Sequence, residues 1–264
     1  MLRHHQCASG PNEASHPAAE TIRRSEAGGW SRRVSAADPM NDDVFVSEPV
    51  SHVLHLYDGL VDEAAWDRTA RQQIETLAGR LLHGHHTRLP GAAVELHNWL
   101  PGAAGRSTQE LFDLSLSIDD ALETESRAHG FSGWKAAACE GQRRGDAVLE
   151  RAVEDLLRGD LSALAAALAG APDLVARRSH YGHRATLLHY LAANGVETYR
   201  QRVPRNALKI ALLLLQRGAD PLATANMYGA NRTTRGMLIS SSHPSEAGVT
   251  DELLAVLDGA GPAA

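Results

Sequence analysis

Lysine is almost missing from this 264-residue chain: Lys135 and Lys209 are the only two, so nearly all of the positive charge is arginine. The planar fork of arginine suits interfaces and anion recognition, although a GC-rich genome produces the same bias. Cysteine is equally scarce. Cys7 and Cys139 are too few for a disulfide framework, and Cys139, in an alanine-rich helix tail, reads as a small buried side chain. No apolar run approaches the roughly 18 residues of a membrane span. The opening MLRHHQCASGPNEASHP lacks the apolar stretch of a secretory signal, so a cytoplasmic protein is expected. A formal charge of −6 argues against non-specific nucleic-acid binding, which relies on an excess of Lys and Arg over a whole face. Also absent are a phosphate-cradling glycine loop, a Gly-x-Ser-x-Gly elbow and a His-Glu-x-x-His helix. The acidic pair Asp119-Asp120 is adjacent, which points its carboxylates apart. Neither catalysis nor a cofactor is expected.

What is present is ordinary for a globular protein: 43% hydrophobic and 22% charged residues, enough for one or two domains. Residues 1–41 are rich in Gly, Pro, Ser, Ala and His without any period, and read as a disordered leader, within which Met40 offers a second start. Residues 42–145 turn helical. Val53, Leu54, Leu56 and Leu60 mark a first helix, and Ile74, Leu77, Leu81 and Leu82 a second. A third, Ser107 to Leu114, opens on a capping box from Ser107 to Glu110. A fourth runs from Ile118 to His129 and stops at Gly130. In Gly130-Phe131-Ser132-Gly133-Trp134, Ser132 can cap a short helix while the two aromatics plug a junction.

From residue 146 the pattern becomes repetitive. Asp146 to Gly159 places Leu149, Ala152, Val153, Leu156 and Leu157 on one stripe, with Asp146 as N-cap and Gly159 as a left-handed stop. Asp160 can cap the next helix, with Leu161, Leu164 and Leu168 among alanines and a stop at Gly170 and Pro172. From Asn206 to Gln216 the helix is apolar almost all round, which suits a rod packed between neighbours. Thr250 to Asp258 keeps a polar outer side. Tyr181-Gly182-His183-Arg184-Ala185-Thr186 recurs as Tyr228-Gly229-Ala230-Asn231-Arg232-Thr233, 47 residues on (228 − 181). Gly170-Ala171-Pro172-Asp173-Leu174 recurs as Gly218-Ala219-Asp220-Pro221-Leu222, with a weaker echo at Gly259-Ala260-Gly261-Pro262.

The stretches ATLLHYLAANG and ALKIALLLLQRGADP resemble one unit of an ankyrin repeat, with Thr186, Leu188, His189, Ala192, Leu212 to Leu215, Gly218, Ala219 and Asp220 in the family's places. Leu187 stands where proline is usual and Leu191 where alanine is. The helix followed by GF-x-x-W also resembles the lead-in of some bacterial ankyrin proteins. The resemblance implies an all-α protein: a helical N-terminal region capping a short solenoid of about three divergent repeats over residues 146–264. Because the ankyrin period is about 33 residues, the central unit carries about 14 extra, most of which fit near 196–205.

Two functional expectations follow from the resemblance. His189 is structural, its hydrogen bonds with Thr186 tying the loop to the first helix turn. The inter-repeat loops recognise another protein, through Arg177, Arg178, His180, Tyr181, His183, Arg184, Asn226, Met227, Tyr228, Asn231 and Arg232, since Tyr and Arg are enriched at hot spots. Equally, Tyr181 and Tyr228 can simply pack the turns. The basic insert is a second candidate surface, or a looped-out segment of little cost. Two other classes compete. His83, His85 and His86, with His97, offer imidazoles to a metal, though adjacent residues on a helix diverge. The arginine-rich loops could also take a polyanion.

Overall fold

A computed structural model describes residues 43–259; the expected leader and the last three residues of the final glycine echo lie outside them. Among the described residues the fold is mostly helical, with thirteen α-helices and strand confined to two two-stranded ladders.

Local chemistry explains most helix starts. Helix α1 (Glu48–Leu56) carries Pro49 in its first turn, where a missing N–H costs nothing. Helix α2 (Ala70–His86) opens on a reciprocal box between Thr69 and Gln72. Helix α3 (Pro90–Trp99) again begins on proline, and α4 (Thr108–Phe112) and α5 (Ile118–Ala128) on the boxes Ser107–Glu110 and Ser117–Asp120. Helix α6 (Trp134–Glu140) has Gly133, not Ser132, at its N-cap. The N-terminal region therefore holds six helices where the sequence pattern marks four and a short fifth. Cys139, expected inside, is exposed near the end of α6.

Helices α7 (Ala147–Leu157) and α8 (Leu161–Gly170) start where Asp146 and Asp160 accept from backbone N–H groups. Helix α9 (Leu187–Tyr190) is a single turn. Ala193, with a left-handed φ of 45°, bends the chain away after it. Helix α10 (Ala207–Gln216) buries only Ala207, Ile210, Ala211 and Leu214 and leaves Leu212 exposed, so it is one-sided rather than enclosed. The Asn206 side chain does not cap it; its Nδ2 donates to the carbonyl of Gly159 at 2.8 Å. Helices α11 (Thr234–Ile239), α12 (Ser242–Glu246) and α13 (Thr250–Gly259) finish the described chain. Helix α7 packs on α8 and α9, α10 on α8, α9 and α13, and α11 on α9 and α13.

Apolar packing divides between two regions. One core joins α7 to α13; another joins α1 to α5 and takes in Tyr199, and a small group around Ile74, Phe131, Ala137 and Tyr181 lies at the junction.

Residues 196–205 overturn the looped-out expectation. Val196 to Gln201 are all buried, the 3-10 turn Thr198–Arg200 packs on α1, and strand β2 (Val203–Pro204) pairs antiparallel with β1 (Val44–Phe45). The segment is a wedge between the two halves. A second ladder joins β3 (Thr224–Met227) and β4 (Ala230–Thr233) in a hairpin whose tip is Tyr228-Gly229. Both tip residues take positive φ, 54° and 73°, as a two-residue turn of this hand requires.

Candidate functional site

The wedge delivers a guanidinium into the protein. Arg200, 2% exposed, donates to Glu150 of α7 at 2.5 Å and to Glu197 at 3.2 Å, and lies 3.7 Å from Glu154. It also sits 5.9 and 5.7 Å from the ring centroids of Tyr190 and Tyr199, so an apolar and a charged partner set hold it together. His180 approaches Glu150 at 3.4 Å and His183 approaches Glu197 at 3.5 Å. Burial alone would raise the carboxyls of Glu150 and Glu197. Arg200, joined by His180 at Glu150 and by His183 at Glu197, outweighs burial and holds both below the ordinary range.

A second buried group adjoins it. Tyr57 of α1 donates to Glu125 of α5, and His129 is 3.9 Å from the other oxygen of Glu125. Burial pushes the carboxyl of Glu95 on α3 up to about 8, against a hydrogen bond from Thr198. Burial and then the charge of Glu95 push Glu125 well above its usual range as well. Burial drives His129 down to about 4 despite the attraction of Glu197. These are the residue types of acid–base chemistry, yet Glu95, Glu125, Glu150, His183, Glu197 and Arg200 are all buried. The arrangement ties the two halves together as a polar clamp.

The loops above the clamp separate the expected contact residues into two groups. Tyr181 (4% exposed), His183 and Met227 are buried, and the His180 side chain is nearly so, which corrects the expectation that they meet a partner. Their loop is pinned by backbone. Gly182 donates to the carbonyl of His129 at 2.9 Å, and a Cβ at Gly130 would lie 2.3 Å from the nitrogen of His183. The His129 ring meets Tyr181 edge-on at 4.7 Å. Asn226 also turns inward, donating to the carbonyl of Gly130 at 3.2 Å. Arg177 is occupied by Asp146 and Asp173, each at 2.9 Å.

The second group faces water. Arg178, Tyr228, Asn231 and Arg232 are exposed and Arg184 half-buried. Tyr228, 38% exposed, stacks on Trp99 at 5.5 Å and donates to Asn194 at 2.7 Å. It therefore straps the hairpin to α3 and still presents an edge. The Trp99 indole in turn donates to Thr198 at 3.2 Å.

The residues matched to the repeat pattern sit as follows. His189 Nδ1 accepts from the Thr186 backbone at 3.2 Å and lies 2.9 Å from its hydroxyl. Burial lowers the His189 imidazole to about 4. Leu188 and Ala192 are buried, Gly218 has a φ of 91°, Ala219 is buried, and Asp220 accepts from Leu222 at 2.9 Å. The histidines weighed as metal ligands do not converge. His85 is buried against the carbonyl of Leu111 at 3.0 Å, His83 and His86 face solvent, and His97 lies beside Asn98. No group of three His, Cys, Asp or Glu side chains placed to hold a metal occurs among the described residues. Nor is any described helix long and apolar enough to cross a membrane.

Sequence reasoning missed the clamp. The available signal was four aromatic or charged residues, Glu197, Tyr199, Arg200 and Arg202, close together in the one segment that the expected repeat pattern did not accommodate. No protein-family model, curated protein or solved structure matches this chain.

Proposed function

We propose that the chain is a non-catalytic recognition module of ankyrin type, in which helices α7, α9 and α11 form one row and α8, α10 and α13 a second, layered into a short solenoid. Supporting this reading are the order of their contacts, the Thr186–His189 box at the head of α9, and the hairpin between α10 and α11. Layering also has a physical motive, since a unit of about 33 residues cannot offset its ordering entropy alone and needs its neighbours' apolar faces.

The observation that carries the function is the hairpin. Asn231 and Arg232 are exposed on β4, whose partner strand is fixed by a hydrogen bond from Asn226 to the carbonyl of His183 at 2.8 Å. Arg178 reaches across to the carbonyl of Thr224 at 2.7 Å. Exposed polar side chains on a braced backbone bind without a large ordering cost. The work assigned to the protein is to hold a partner protein at this surface.

Affinity capture from the native cell tests the assignment, comparing the wild-type chain with the Asn231→Ala/Arg232→Ala double variant. A partner held by the wild type is expected to be lost by about tenfold or more in the variant, with the thermal midpoint unchanged. Equal capture by both proteins would overturn the reading.

A further inference from the structure

Beside the hairpin, Arg178 is bonded to the backbone of Arg184, and Arg143 lies near enough for its charge to bear on Arg184. Arg143 comes from the connection between α6 and α7, Arg178 from the loop after the 3-10 turn Pro172–Ala176, and Arg184 from the residues just before α9. Several surface arginines are matched, Arg71 with Glu75, Arg88 with Asp113 and Arg235 with Asp258, while Arg106, Arg158, Arg217 and Arg232 stand singly without an ion pair among the described residues. None of Arg143, Arg178 and Arg184 forms an ion pair among the described residues.

Arg178 and Arg184 are held in place. Nη1 of Arg178 donates to the carbonyls of Arg184 at 2.9 Å and Thr224 at 2.7 Å, and its Nε and Nη2 make no hydrogen bond among the described residues. Arg184 takes a left-handed φ of 56°, a conformation uncommon for a side chain of this size. Partial burial, then the charges of Arg143 and Arg178, lower its affinity for its own proton. Like charges held together in this way repel, and a bound anion relieves the repulsion. Guanidinium forks match carboxylates two bonds at a time.

We propose that Arg143, Arg178 and Arg184 dock a short acidic segment, rich in Asp or Glu, of the partner protein. The inference rests on the recognition reading above and supplies its chemistry. Three forks arriving from three separate connections suit several carboxylates spaced along a chain. A nucleic-acid backbone extends beyond the patch onto a molecule of net charge −6, where the surface repels it.

The test is fluorescence anisotropy of labelled deca-glutamate on the full chain, with deca-glutamine and a single-stranded ten-nucleotide DNA for comparison. Deca-glutamate is expected to bind, to weaken about tenfold on raising salt to about 0.3 M, and to weaken about tenfold again in Arg143→Gln/Arg184→Gln. Arg217→Gln, away from the patch, is expected to match the wild type. Absent binding, binding indifferent to the double substitution, or tighter binding of the DNA overturns the proposal. If the hairpin variant loses its partner while deca-glutamate never binds, only the acidic chemistry falls. If capture shows no dependence on the hairpin while the peptide binds through Arg143 and Arg184, the recognition reading falls and the anion site stands.

Discussion

Deleting one guanidinium would strand two carboxylates that have no access to water. Arg200→Met removes the partner of Glu150 and Glu197, and an unpaired buried charge costs roughly 3–5 kcal/mol. Denaturant unfolding of the variant should show a loss of that size; a change under about 1 kcal/mol would mean that the clamp relaxes onto His180 and His183. Tyr181→Ala should cost about 3–5 kcal/mol by emptying a buried aromatic site, whereas Arg232→Ala should leave the unfolding midpoint in place. Glu95 gives a pH signature. Its folded carboxyl is raised, to about 8, so the stability it contributes is complete below its unfolded value and disappears as pH rises through about 8. His129 acts in the opposite sense. Its folded imidazole is lowered, to about 4, so its contribution is present above its unfolded value and fades as pH falls through about 4. Stability should therefore peak between these limits, and Glu95→Gln should flatten the alkaline decline measured from about pH 5 to about pH 9. An unchanged slope in that variant would remove Glu95 as its source.

Among the elements, the contact between the Gly130 turn and the Tyr181–Arg184 loop is the least forgiving. Gly130 has a φ of 79°, and an added Cβ would meet the His183 backbone. Gly130→Ala should therefore lower the thermal midpoint by several degrees, about 1–3 kcal/mol, while Gly229→Ala, with open space around it, should cost about 1 kcal/mol. Equal losses at both sites would mean that backbone strain alone, and not the approach of the two loops, sets the cost. What was legible in the sequence follows the same division between local and distant causes. The caps at Ser107, Asp146 and Asp160 were readable because a side chain and an N–H three residues away settle them. Helix α3 was not: it buries Gly91, Ala92, Ala93, Glu95 and Leu96, with Gly91 set against the carbonyl of His52, and one large apolar residue among small and charged ones leaves little apolar period. Residues 196–205 could be counted as extra but not placed, because Tyr199 and Arg200 have the composition of a surface loop and are buried only through partners on α1 and α7. The candidate site was half legible for the same reason. The loops were identifiable, but whether Tyr181 or Tyr228 faced water depended on Phe131 and Trp99, residues far away in the chain.

For the whole molecule, the halves share too much to melt apart. Tyr199 packs in the N-terminal core while its neighbour Arg200 pairs with α7, and β1 closes on β2. Unfolding followed by tryptophan fluorescence, whose four reporters Trp30, Trp66, Trp99 and Trp134 all precede residue 146, should coincide with the loss of helical circular dichroism over the full chain. Two separated transitions would show that the wedge does not couple them. The wedge also constrains descent. A lineage that lost residues 196–205 would strip α1 of a neighbour that covers it, and one that dropped the leading helices would leave Tyr199 bare. Insert and leading helices must be gained, kept or discarded together, so any ancestor possessing just one of them had to shield the exposed surface by other means.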